Sequence, residues 1–177
     1  MRFDPSAYGP GVHSLLALDG GGRRLMPLAH GRCSSEEAAR SFRAAKAADL
    51  FPGARAPEAA LSGLWLYFSC LDESHSLSQE IGTTEGSFWH GIMHRQEPDP
   101  GNAAYWFRRL GPHPIFPALG EEAKPHLKTG GAWDPFAFID YCEAARQAPG
   151  SERERIALKI QRAEWQLLFD WCARPAR

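Results

Sequence analysis

Residues 151–173 read SERERIALKIQRAEWQLLFDWCA, and their spacing decides the fold class. Ser151 with Glu154 three positions on is a capping box, which opens a helix. Ile156, Ile160, Ala163, Leu167 and Trp171 recur at helical spacing. Ala157, Leu158, Trp165, Leu168, Phe169 and Cys172 widen that face, so only Arg155, Lys159, Arg162, Gln166 and Asp170 form a wet arc. A helix apolar over so much of its circumference is covered on most sides by other elements. Gln161 and Glu164 fall inside the apolar arc. A buried carboxylate is costly unless it is paired or ligating. Glu164 therefore needs a partner: an arginine, Arg95 or Arg109, or a metal shared with His90 and His94.

Working outward, Asp134-Pro135 is an N-cap followed by proline at the first helical position, and that helix reaches Ala148 before Pro149-Gly150. Ser34 with Glu37 predicts a helix to Leu50, stopped by Phe51-Pro52-Gly53. Pro57 or Glu58 opens a helix with an apolar stripe of Leu61, Leu64, Trp65, Phe68 and Leu71. Continued to Ile81, it carries Asp72, His75, Ser76 and Gln79 on the same stripe, passing from core into a polar pocket or into solvent. Gly82 ends it, and the short connection to a helix over Thr84–Gln96 predicts that the two pack side by side. Asn102 caps a short helix, Ala103–Leu110, ended by Gly111. Residues 112–133 read as a loop pinned by Ile115, Phe116 and Leu119, with Gly130-Gly131 near its end. Residues 12–31 hold the triplet Gly20-Gly21-Gly22, which suits the turn of a short β-hairpin. No GK[ST] follows the triplet, so a phosphate loop is disfavoured.

The pattern predicts an all-α fold: a single-domain helical bundle of five or six helices within residues 1–177. Residues 1–33 form an irregular segment that could hold the hairpin, and residues 34–173 form the helical core. The chain has 177 residues, 44% of them hydrophobic, and a net charge of −1. That charge gives no broad attraction to nucleic acid or anionic membrane. There is no apolar run of transmembrane length, and MRFDPSAYG lacks the apolar core of a signal peptide. Cys33, Cys70, Cys142 and Cys172 stand far apart with no CxxC and read as free thiols in a cytosolic protein.

The densest chemistry lies at Thr83–His113, TTEGSFWHGIMHRQEPDPGNAAYWFRRLGPH. On a helix, His90, His94 and Glu97 fall within about 60° of one another. Histidines four apart can reach one metal ion, with Glu97 as third ligand or base. The pattern differs from HExxH, and Pro98 tends to swing Glu97 off the helical face. Three readings follow. In the first, a divalent metal on His90, His94 and a carboxylate (Glu97, Asp72 or Glu164) supports hydrolysis or iron-dependent oxidation, with Arg95 and Arg109 holding an anionic group. In the second, a metal-free pocket binds a small polar or anionic molecule. Trp89, Tyr105 and Trp106 would stack on it, His90, Glu97, Asn102 and Arg109 would hydrogen-bond, and Asp72, His75, Gln79, Arg95, Asp99, His113 and Glu164 would complete the ligand-binding set. In the third, the block is a buried network that fixes helix packing. His113, held between two prolines, is expected on the His90/His94 side.

The segments WHGIMHRQEPDPGNAAYWFRRLG and QRAEWQLLFDWC resemble a family of uncharacterised bacterial and fungal proteins. Its hallmark is a similar W-H-x-I-x-H-R-x-E-x-D…N-x-x-Y-W-x-R-R-x-G-x-H-P block. The resemblance covers roughly the second half of the chain and implies no activity, so it assigns no catalytic residue. Gln96 departs from the arginine expected there.

Overall fold

The predicted terminal helix forms as the sequence dictates. In the computed structural model, which describes residues 3–127 and 132–176, it spans Glu152–Ala173. The Ser151 side chain accepts from the Glu154 backbone N–H at 3.2 Å, and Glu154 accepts from the Gly150 N–H at 2.5 Å. Counted along the chain, this helix is α10. It follows α1 (Pro10–Ala17), α2 (Glu36–Ala44), α3 (Ala47–Leu50), α4 (Pro57–Tyr67), α5 (Leu71–Glu80), α6 (Thr84–Gln96), α7 (Pro100–Leu110), α8 (Phe116–Ala123) and α9 (Pro135–Arg146). Two 3-10 turns, Pro5–Tyr8 and Gly20–Gly22, complete the regular structure. The fold is all-α, with no strand among the described residues. None of their helices is long and apolar enough to cross a membrane.

Ten α-helices among the described residues replace the expected five or six, for local reasons. Ala45 and Lys46 are extended, so the helix from Ser35 breaks before Leu50. The cap there is Ser35 rather than Ser34, and it accepts from Ala38 at 3.2 Å. Ser69 adopts a left-handed conformation, φ 59°, and divides the long helix expected over 57–81 into α4 and α5. Asp72, His75, Ser76 and Gln79 therefore do not continue the Leu61–Leu71 stripe. Asp99, not Asn102, caps α7: its side chain accepts from the Asn102 N–H at 3.0 Å, and Pro100 takes the first turn. The expected 112–133 loop holds α8, with Ile115 and Leu119 buried as anticipated. Gly130 and Gly131 lie outside the described residues.

The expected hairpin is absent, and α1 with a 3-10 turn stands in its place. Pro10 starts α1, and Val12 and Leu16 share its buried side. The irregular strap that follows is fastened by Tyr67. Its hydroxyl accepts from the N–H groups of Gly22 and Arg24 at 3.0 and 3.1 Å and donates to the Asp19 carbonyl. The reading of four free thiols also needs correction. The break at Ser69 turns Cys70 toward the strap, where it forms a disulfide with Cys33. Cys142 and Cys172 are free and buried.

The core centres on α4, α6 and α10. Trp165 donates from its indole to the Gly63 carbonyl at 2.7 Å and stacks on Phe169 at 4.8 Å. A Cβ at Gly63 would lie 2.6 Å from the Trp89 ring, so α4 and α6 approach as closely as a glycine allows. Inside this apolar contact lies one ion pair. Arg95 donates to Glu164 at 3.3 Å through Nη1 and again through Nη2. Nη2 also lies 3.5 Å from the Gln161 side-chain oxygen, and the guanidinium sits 4.6 Å over Phe138. Both charged side chains are fully buried. Burial pushes the Glu164 carboxyl up, against the pull of the guanidinium. Removing one partner strands the other charge and is expected to cost about 3–5 kcal/mol. Urea unfolding should show that loss for Glu164→Leu and for Arg95→Met alone. The double variant, an apolar replacement of similar volume, should recover most of it.

Candidate metal centre

The helix α6 carries a second polar face, turned roughly 100–140° from its ion pair. His90 and His94, one turn apart, project there with ring centroids 4.8 Å apart. The short turn at residues 81–83 folds α5 against α6 and brings in a third imidazole. His75 lies 4.6 Å from His90 and 5.3 Å from His94, ring centre to ring centre. One ligand atom from each of the three falls within 4.8 Å of the others. Zinc–imidazole bonds of about 2.1 Å set tetrahedral nitrogens about 3.4 Å apart, so closing on an ion asks for ring shifts on the order of 1 Å.

The outer contacts are those a ligating histidine needs. The Ser78 hydroxyl pairs with His90 Nδ1 at 3.1 Å. Glu97 Oε2 pairs with His94 Nδ1 at 2.9 Å. With both Nδ1 atoms taken, Nε2 is the nitrogen left for an ion. Such partners fix ring orientation and raise the basicity of the ligand. Trp106 stacks on His90 at 4.0 Å and 30°, which further restricts that ring. Burial lowers the His90 pKa to about 3, and the neighbouring His94 and His75 add to the fall. Burial also lowers His94, against the pull of Glu97. A neutral imidazole is the ligating form.

The remaining candidates divide by location. Glu97 supports His94 rather than joining the three nitrogens. Asp99 caps α7 and lies close enough to His94 to favour its protonation. Tyr105 is exposed and meets Trp106 edge-on at 5.3 Å, and Arg109 sits 5.4 Å over Trp106. Asn102 and Gln79 are exposed. Asp72 lines a separate cleft at the N-terminal end of α5. Trp89 packs in the core against Gly63, and Arg95 and Glu164 form the core ion pair. His113, expected beside the other histidines, lies instead among Phe88, Phe116 and Trp171 at 5.1–6.1 Å. Its Nδ1 accepts from the Ile115 N–H at 3.3 Å.

Sequence reasoning named His75 as a pocket residue but not as the third member of the cluster. Ser78 was missed altogether. The usable signal was the three-residue spacing between His75 and Ser78 on a helix joined to α6 by a short turn. Compared with family models, curated proteins and solved structures, the chain matches none.

His113 sets a pH dependence of its own. Burial pushes its pKa down to about 4, with Glu85 opposing and Arg55 assisting the fall. Its Nε2 has no hydrogen-bond partner among the described residues. Between pH 6.5 and 4 the unfolded chain binds a proton at this position that the folded chain resists. Stability therefore rises with pH in that window and falls on acidification, by about 1.4 kcal/mol per pH unit at the steepest. Urea midpoints measured with chelator present at pH 7, 6 and 5 should fall for the wild type and fall less for His113→Asn. Equal slopes would contradict the assignment.

Proposed function

We propose that this protein is a metal-dependent enzyme in which His75, His90 and His94 hold a divalent transition ion. The observation that carries the reading is the pairing of the three-imidazole cluster with two outer partners, Ser78 and Glu97, each on an Nδ1. A network formed for packing alone has no need to keep three imidazoles together with Nε2 left over on two of them. Nitrogen ligation suits zinc, iron, nickel or copper over magnesium or calcium. Three protein ligands leave a coordination position for water, and a bound ion would polarise that water and a substrate oxygen for hydrolysis. His75 is partly exposed, so the cluster opens toward solvent on its α5 side. In this reading Glu97 orients His94 and accepts a proton at its second oxygen. Trp106 walls the site beside His90, and Arg109 behind the indole favours a small polar or anionic substrate. Iron-dependent oxidation uses two histidines with a ligating carboxylate; a third imidazole in place of that carboxylate favours hydrolysis.

The test is elemental analysis of protein purified without a metal-affinity tag, together with His75→Ala, His90→Ala, His94→Ala and Glu97→Gln. Near-stoichiometric metal is expected in the wild type, with loss in each histidine variant. Glu97→Gln should still bind, with affinity weaker by about 10–100-fold. A melting temperature raised by added zinc and lowered by chelator should accompany binding. Folded wild-type protein that takes up none of these ions would sink the reading. Full loss in Glu97→Gln with retention in His75→Ala would move the third ligand to the carboxylate.

A further inference from the structure

At the opposite end of α5 from Ser78, the disulfide between Cys33 and Cys70 forms part of the wall of an open cleft of about 520 Å³. Arg32, Arg43, Asp72 and Glu73 line it as well. The two sulfurs are unequal. Cys33 belongs to the irregular strap and is partly exposed, whereas Cys70 is 2% exposed. Cys70 is also the N-cap of the ten-residue helix α5, and its side chain makes no capping hydrogen bond there. The first-turn N–H groups of a helix lack intrahelical partners, and the helix dipole favours negative charge at that end. A thiolate at such a position is stabilised, and a stabilised thiolate is a better leaving group in disulfide exchange. Arg32 and Arg43 share the cleft with Glu36, Asp72 and Glu73, and Arg43 pairs with Glu73 at 2.9 Å, so the stabilisation rests on the helix end rather than on the charge of the lining.

We propose that Cys33–Cys70 is an exchangeable redox disulfide, reduced in the folded protein by small thiols of the glutathione class that enter this cleft. The incoming thiolate attacks Sγ of Cys33, the accessible sulfur. The protein disulfide breaks, a mixed disulfide forms on Cys33, and Cys70 departs as a thiolate at the N-terminus of α5. A second thiolate attacks the external sulfur of the mixed disulfide and releases Cys33. Two small thiols leave joined as their own disulfide. They have supplied two electrons, and their two protons pass to the cysteines or to solvent. The proposal uses only the cysteines and their cleft, so it stands apart from the metal reading. It also accommodates a reducing compartment, where the disulfides that occur are mostly transient or redox-sensing.

The experiment counts thiols in the folded full-length protein across glutathione redox buffers, by acid quenching, alkylation and mass spectrometry. Cys33 and Cys70 are expected to interconvert between dithiol and disulfide without unfolding. The buried Cys142 and Cys172 should stay reduced throughout, their label constant across the buffers. Glutathione disulfide should form a mixed disulfide with Cys70→Ser, at Cys33, about tenfold faster or more than with Cys33→Ser, where only the shielded Cys70 remains. A wild-type disulfide that resists millimolar glutathione until denaturant is added would overturn the proposal, whether or not the serine variants fold. Faster reaction at Cys70 than at Cys33 would overturn the assigned direction of attack.

Discussion

The Arg95–Glu164 pair is the contact on which the placement of α6 depends. Two full charges inside an apolar helix face are tolerable only when each meets the other with good geometry. Gln161 and the Phe138 ring take up further parts of the guanidinium, and Gln161 in turn donates to the Met26 carbonyl at 2.9 Å. A register shift of either helix would strand a buried charge, so the pair fixes α6 against α10 in rotation as well as distance. Arg95 follows His94 by one residue, about 100° around the helix. Holding the arginine toward α10 turns the histidines the other way, toward α5 and α7.

The polar block of the sequence is thus divided between two faces of one helix. Expectations of a catalytic pocket and of a buried packing network compete only if all its residues converge. Arg95 and Glu164 belong to the network. His90, His94 and Glu97, with His75 and Ser78 from α5, belong to the cluster. Between the two faces, glycines set the packing distances. Gly63 admits the Trp89 ring, and a Cβ at Gly91 would meet Phe107 at 2.9 Å. Through that second close approach α7 lies near enough for Trp106 to stack on His90.

Much of this could be read where the signal is local. Ser151, Asp134 and Gly111 end their helices as their types predict, because capping involves only neighbouring residues. The buried Glu164 and its partner Arg95 followed from one physical rule applied to one helix face. The losses came where two local signals compete or where the partner is remote. Asp99 and Asn102 are both good caps, and Pro100 decides between them by fitting the first turn. Ser69 gives no warning of its left-handed conformation, since a glycine would ordinarily mark that position, and so α4 and α5 merged. Once they merged, His75 could not be seen facing His90 and His94, nor could Cys70 be seen facing Cys33.

The consequence of that hidden break is that α5 is held in an unusual way. Of its ten residues only Leu71, Ser74 and Ser78 are buried, and Leu77 is partly buried against the core, so its apolar packing rests on two leucines. It is fastened also by the disulfide at its first end and by the reciprocal Ser62–Ser74 hydrogen bonds to α4 at 3.1 and 3.2 Å. Ser78 bonds toward His90 near its last turn. Elements with few buried apolar contacts lie at the low-stability end of a fold. By contrast, α6 is clamped by the ion pair and by indole and phenyl rings pressed on glycines. The cluster therefore joins two histidines on a rigid support to one on a lightly packed arm. In the proposed metal site, the shift on the order of 1 Å that three imidazoles would need to close on an ion would fall to the arm, where movement disturbs the core least.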